Sequence, residues 1–180
     1  MDTSPTTSEP QSGEGCDSRL QSLFADLHGE LVGTLFYVVG NMEDAHDALQ
    51  ETFLKCWRKR EQIQNVENLR AWVFRIAINT GRDCRKTAWN RRRQSIVEEP
   101  TMVSTSDAPD AALLRDEEKQ RLQQAVLQLR VEEQEVFLLR QNGSLTYEQI
   151  SEITSLPLGT VKTRMRSAIR TLRTSVGEQS

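Results

Sequence analysis

"LTYEQISEITSLPLGTVKTRMRSAIRTL", Leu145 to Leu172, decides how the second half of this chain folds. Thr146 followed three residues later by Gln149 is a capping-box pattern, in which the Thr hydroxyl accepts from the Gln149 amide and the Gln side chain reaches back. Leu145 before the cap and Ile150 after it supply the hydrophobic staple. The spacing predicts a short helix that begins at Tyr147 and buries Ile150 and Ile153. It must end near Ser155, because Pro157 disfavours helix at Leu156 and is itself suited to the first turn of a new helix. That new helix carries Val161, Met165, Ala168 and Leu172 on one seam and leaves Lys162, Thr163, Arg166 and Arg170 outside it. The segment from Lys162 to Arg173 adds Arg164 to these cations and contains no acid. A capped short helix, a tight turn and an amphipathic helix with a basic outer face describe a helix-turn-helix whose second helix enters a DNA major groove. A basic face alone is usually just solvated. The combination of cap, turn and acid-free helix favours DNA.

Working outward, the 180 residues carry a formal net charge of -3, which conceals strong segregation. Met1 to Glu51 holds ten acids and one base, Arg19, whereas Arg70 to Arg93 holds eight bases and one acid, Asp83. Such a chain presents a basic face to a polyanion while staying acidic overall. The longest apolar run, "LVGTLFYVV" from Leu31, is far short of the ~20 residues of a membrane helix, and the amino terminus lacks a signal-peptide core. No membrane insertion is expected, and the location expected is cytoplasmic. Cys16, Cys56 and Cys84 are widely spaced and only His28 and His46 could assist them, so neither a disulfide framework nor a metal site is expected. No activated nucleophile, carboxylate set or phosphate-cradling glycine loop is visible, so catalytic residues and cofactors are both expected to be none.

Residues 1–16, rich in Ser, Thr, Pro, Glu and Gly, cannot bury enough apolar surface to order and read as a disordered tail. Residues 95–112 read as a flexible linker for the same reason, and 176–180 as a second tail. Elsewhere apolar residues recur at three and four: Leu20, Leu23, Phe24, Leu27, Leu31; Ala45, Leu49, Phe53, Trp57; Leu69, Val73, Ile76; Leu122, Val126, Leu129. No run alternates at period two. The fold expected is all-α, two small helical modules at 17–94 and 113–175 joined by the linker.

On the second predicted helix Asp44, Asp47 and Glu51 line up outside the Ala45, Leu49, Phe53, Trp57 seam. On the third, Arg75, Asn79, Arg82 and Lys86 share a face at steps of four, three and four, a polar and mostly basic stripe suited to a phosphate backbone. Trp72 and Phe74 flank its start, and Phe74 lies off the apolar seam, where an exposed aromatic could hold an unstacked base. For Trp72 core packing is the more ordinary fate.

"LRVEEQEVFLLRQNGSLTYEQISEITSLPLGTVKTRMRSAIRTLR" resembles region 4 of the extracytoplasmic-function sigma factors, small sigma-70-family subunits of bacterial RNA polymerase. "NMEDAHDALQETFLKCWRK" (Asn41 to Lys59) is similar to the family's region 2.2, and "NLRAWVFRIAINTGRDCRK" (Asn68 to Lys86) to its regions 2.3 and 2.4. The resemblance implies a transcription-initiation role, with the beta-prime and beta subunits of core polymerase and promoter DNA as partners. An anti-sigma factor as a further partner is left open by the residues. It assigns polymerase docking to Asp44, Asp47, Gln50 and Glu51. It gives minus-10 recognition and melting to Trp72, Phe74, Arg75, Asn79, Arg82 and Lys86, with Asn79 in the pocket for a flipped base. Minus-35 reading falls to Thr160, Lys162, Thr163, Arg164, Arg166 and Arg170. Three departures stand out. Ser155 occupies the usual Gly position of the turn, no Pro stands at Arg130 or Val131, and Ser167 and Ile169 replace frequent arginines. A free-standing helix-turn-helix regulator is the alternative, but it has no use for the acidic face beside an Asn79 pocket.

Overall fold

The computed structural model describes residues 12–94 and 120–177. The expected linker 95–112 and the tail beyond 177 lie outside them. Every regular element among the described residues is helical, with no strand among them. The first module is built from α1 (Ser12–Val39), α2 (Met42–Arg58), a short 3-10 turn (Arg60–Asn65) and α3 (Leu69–Gln94). The second comprises α4 (120–127), α5 (Val131–Gln141), α6 (Tyr147–Thr154) and α7 (Leu158–Gly177).

Each boundary has a local cause. Gly40 at φ +99 turns the chain out of α1, a conformation that residues with a Cβ rarely adopt. Asn41 then caps α2: its Oδ1 accepts from the Asp44 amide at 2.8 Å while its Nδ2 donates to the Asp44 carboxylate at 2.7 Å. Asn68 repeats the device at the head of α3, accepting from the Ala71 amide at 2.9 Å. The residues expected as a tail, 1–16, are in part helical, because α1 begins at Ser12. Its first turns are tethered to the 3-10 turn by Asp17, 3.1 Å from Arg60, and by Cys16, whose sulfur accepts from Gln64.

In the first module α1, α2 and α3 pack mutually around Leu20, Leu27, Leu31, Leu35, Ala45, Ala48, Val73 and Ala77, all fully buried. Gly81 on α3 lies so close to α1 that a Cβ there would stand 2.8 Å from a Val38 methyl, so a side chain would force the helices apart. The α2 seam differs from the expected one. Ala45 and Leu49 are inside, but Ala48, Thr52 and Cys56 complete the buried stripe, while Phe53 and Trp57 stay half-buried at its edge and stack at 5.7 Å. On α3, Leu69 and Val73 are buried as expected, Thr80 is buried with them and Ile76 is only half-buried.

The modules touch. α1 contacts α5 and α3 contacts α6, so one apolar core runs from Leu20 through Phe74 and Ile78 to Leu139, Leu145, Ile150, Val161 and Met165. A second, smaller cluster joins Ala125, Val126, Leu129 and Leu138 to Ala168 and Leu172, with Tyr37 of α1 packed against it. The α7 seam thus serves two clusters, Val161 and Met165 one, Ala168 and Leu172 the other. Gln134, nearly buried between α4 and α5, donates to the Val126 carbonyl at 2.9 Å and joins the Leu129 amide, at 3.2 Å, in satisfying the end of α4.

Candidate nucleic-acid interface

The α6–α7 unit is built as its sequence dictates. The Thr146 hydroxyl accepts from the Gln149 amide at 3.2 Å and Gln149 accepts from the Thr146 amide at 2.9 Å, a complete capping box with Leu145 and Ile150 buried on either side. The Glu148 carboxyl in this first turn lies below its ordinary value because its own backbone amide, and then the Thr146 side chain, hydrogen-bond to it. Ser155 ends α6 in the left-handed region at φ 56, ψ 36, the conformation for which glycine is usual. Pro157 stands just before α7 and its carbonyl takes the first helical bonds, from Thr160 and Val161.

On α7 Val161, Met165, Ala168 and Leu172 are all buried. Thr163, Arg166 and Arg170 are exposed, and Thr160, Lys162 and Arg164 are half-exposed beside them. The Thr163 hydroxyl donates back to the Gly159 carbonyl at 2.8 Å. Ile169 is exposed on the same helix. This is an open cationic surface on a helix entered through a tight turn, the geometry that delivers side chains to a groove.

The α3 stripe is more complicated. Arg75, Asn79 and Lys86 are exposed on a common face, as expected, and Trp72 is half-buried against the core. Phe74 is fully buried, which overturns its reading as an exposed platform for a base. A single seam was assumed for α3, whereas it is covered on two adjacent sides: by α1 and α2 on one and by α6 on the other. Arg70 lies over the Phe74 ring at 5.7 Å. Arg82, at the edge of the polar stripe, is held rather than free: its guanidinium forks onto both carboxylate oxygens of Glu135 on α5 and reaches Asn79 Oδ1 at 3.4 Å. Burial pushes the Glu135 carboxyl above its ordinary value, with Arg82 opposing the shift and Arg85 and Arg164 adding smaller opposing charges.

The acidic face of α2 divides in two. Asp44 is half-buried and engaged in the α2 cap, and Glu51 is 4.0 Å from Lys55 and 3.9 Å from Arg58. Asp47 and Gln50 are exposed. Gln50 helps line an open apolar hollow of about 470 Å³ between α1 and α2, with Phe24, His28, Leu49, Phe53 and Leu54.

Two arginine-carboxylate and arginine-carbonyl contacts between the modules have no counterpart in the sequence reading. Arg70 donates to the Asn142 and Gly143 carbonyls, each at 2.7 Å, and Arg82 pairs with Glu135. Sequence periodicity shows which residues face outward but not which distant segment they will meet. Among the described residues no group of three or more His, Cys, Asp or Glu is arranged to hold a metal, and burial pushes the Cys56 thiol up to about 12.

Against known families the chain matches the sigma-70 region 2 profile over residues 23–92 and the sigma-70, region 4 profile over residues 119–172. The chain belongs to the sigma-70 family. Its sigma-factor relatives include the RNA polymerase sigma-H factor of Pseudomonas aeruginosa, 28% identical over 76% of this chain and 75% of the relative. The RNA polymerase sigma factor YlaC of Bacillus subtilis is also 28% identical, over 83% and 87% of the two chains. Among solved structures, the sigma factor RpoE of Bartonella quintana, in complex with the anti-sigma factor NepR, superposes with a TM-score of 0.72 at 20% identity, over 88% of this chain and 97% of the other. CnrH in complex with the cytosolic domain of CnrY gives a TM-score of 0.65, also at 20% identity, over 91% of each chain. In this sigma factor region 2 is therefore the α1–α3 module and region 4 the α4–α7 module. No helix among the described residues is long and apolar enough to cross a membrane.

Proposed function

We propose that this sigma factor binds core RNA polymerase through α2, reads the minus-35 duplex with α7 and captures the melted minus-10 strand on the exposed face of α3. The observation that carries this is the pairing of two cationic faces of different character on one chain. The α7 face is an open helix surface suited to a major groove, with Lys162, Thr163, Arg164, Arg166 and Arg170 as its reading and phosphate-contacting set and Thr160 at its start. The α3 face places Asn79 between Arg75, Arg82 and Lys86, a polar group flanked by cations, which suits an extruded base with its backbone. Trp72 borders this face. Phe74 supports it from beneath.

Docking on the polymerase beta-prime subunit would use Asp47 and Gln50, the two exposed members of the acidic set, together with the apolar hollow beside Gln50. Glu51 would exchange its intramolecular cations for the partner's, at little cost because exposed pairs contribute only about 0–1 kcal/mol. Asp44 acts chiefly as part of the helix cap. The beta subunit is the expected partner of region 4. An anti-sigma factor is a further partner, a reading supported by the superposed sigma factor RpoE being held in a complex with the anti-sigma factor NepR. The work is binding and strand separation in the cytoplasm, without covalent chemistry.

Transcription by core polymerase, with and without this protein, on a library of random promoters tests the reading: a shared pair of upstream elements should emerge only when the protein is present. Asp47→Arg together with Glu51→Arg should abolish co-purification with core while leaving helicity intact. Tight, sequence-specific duplex binding by the isolated chain, with no transcription, would establish a free-standing regulator instead.

A further inference from the structure

The α3 cation nearest the second module already has an anion. Arg82 offers two nitrogens to the two oxygens of Glu135, whose side chain is 13% exposed. The same carboxylate feels the charges of Arg85 on α3 and Arg164 on α7. One half-shielded acid therefore faces cations from both of the helices assigned to DNA. A carboxylate gripped in a guanidinium fork reproduces the charge and planar contact that a backbone phosphate makes with arginine. We propose that Glu135 is an internal phosphate mimic that latches regions 2 and 4 together, so that the free chain keeps Arg82 of its minus-10 face occupied until a partner separates the modules.

The rest of the seam fits a latch. Arg70 of region 2 grips the Asn142 and Gly143 carbonyls of the α5–α6 loop, and the Asn142 side chain donates to the Thr34 hydroxyl of α1 at 3.1 Å. Tyr37 of α1 packs on the small cluster of region 4. The polar contacts fix one register for the two modules. They do so at limited net stability, because the desolvation of a largely buried ion pair offsets its attraction. A latch of that kind specifies closure and still opens. Loss of one member leaves Arg82 without its anion in the closed form and favours opening.

The inference rests on the assignment of α3 and α7 to DNA, so its test reads shape and binding separately. The full-length chain, Glu135→Ala, Arg70→Ala and the control Glu132→Ala, which removes an exposed acid one turn away on the same helix, are compared by small-angle scattering. Their affinity for a short fluorescein-labelled single-stranded DNA of mixed sequence is measured by anisotropy. Both Glu135→Ala and Arg70→Ala should swell the radius of gyration, and Glu135→Ala should bind the strand about tenfold tighter, equivalent to ~1.4 kcal/mol. Glu132→Ala should leave shape unchanged and alter binding less than about twofold, the effect of one distant charge. If circular dichroism shows that Glu135→Ala has lost helix, Arg70→Ala decides the matter alone, since it keeps the acid and removes the grip on the α5–α6 loop, together with a 3.7 Å ion pair to Glu30 and the contact over Phe74 within region 2. Unchanged scattering in the folded variants, or tighter binding by Glu135→Ala that Glu132→Ala matches, overturns the latch. Failure of the wild-type chain to support transcription with core would instead overturn the DNA assignment, leaving the scattering result to judge closure by itself.

Discussion

α3 and α7 are both long helices with a cationic outer face, yet they are embedded in opposite ways. α7 buries one seam, Val161, Met165, Ala168 and Leu172, and leaves the remainder to solvent. α3 is covered on two sides, buries Phe74 and Ile78 in addition to Val73 and Ala77, and lends Arg82 to the other module. Under the proposed assignment, the helix that would present a single-stranded base is anchored on more sides than the one that would enter a preformed groove. Asn79 is positioned by a helix that cannot rotate without breaking the core. The outer face of α7 is positioned by one seam packed against α5 and α6 and by the turn before it.

The largest expected effect comes from truncating a core side chain of α3 and an outer side chain of α7. Phe74→Ala should destabilise the chain by about 3–5 kcal/mol, the range for a fully buried aromatic, whereas Ile169→Ala on α7 should stay within about 0.5 kcal/mol, as surface substitutions do. Denaturant unfolding of the two variants measures both, and equal midpoints would mean that α3 is not the better-anchored helix.

A smaller effect separates the two faces in function. Asn79→Ala should lose opening of the minus-10 region by about 1–3 kcal/mol with closed-complex binding largely kept, and Arg166→Ala should weaken recruitment to the duplex, less so as salt rises. Permanganate footprinting on a duplex promoter and on one with a pre-melted bubble reads the difference. Identical behaviour on both templates would erase the distinction between the helices.

Two further changes address the turn on which α7 depends. Thr146→Ala removes the capping acceptor and should cost about 1 kcal/mol in thermal or denaturant unfolding. Ser155→Gly should act in the opposite direction and stabilise by roughly 0.5–1 kcal/mol, because it relieves a left-handed Cβ. A destabilised Ser155→Gly would show that the serine side chain contributes more than its backbone conformation costs.

The same contrast explains what the sequence could reveal. Every element of α6 and α7 was legible, from the capping box to the four seam residues, because one amphipathic stripe and local caps determine them. The departure at Ser155 was legible as well, and its φ of 56 is the expected left-handed turn. Phe74 was misread because a second burying surface arrives from a segment some seventy residues away, and periodicity counts only one. Phe53 and Trp57 were placed inside for a similar reason: the α2 stripe is completed by small residues, Ala48, Thr52 and Cys56, which allow close helix approach but carry little hydrophobic signal. On the acidic face the residue types were legible, but the diversion of Asp44 into the Asn41 cap depends on rotamers that no spacing rule specifies. Glu135 was invisible, being one acid among several in "VEEQEV".

Arg70 reads main chain and not side chains: both of its bonds to the α5–α6 loop end on carbonyl oxygens. Such a grip is indifferent to what the loop displays and strict about where it runs. Saturation mutagenesis of the loop should therefore give an uneven pattern. The exposed Gln141 should accept almost any residue that keeps the helix. Gly143 should accept almost none, since a Cβ there would stand 2.4 Å from the Leu139 carbonyl oxygen. The contact between the modules is in this sense written in the path of the chain, and its alphabet at that point is a single letter.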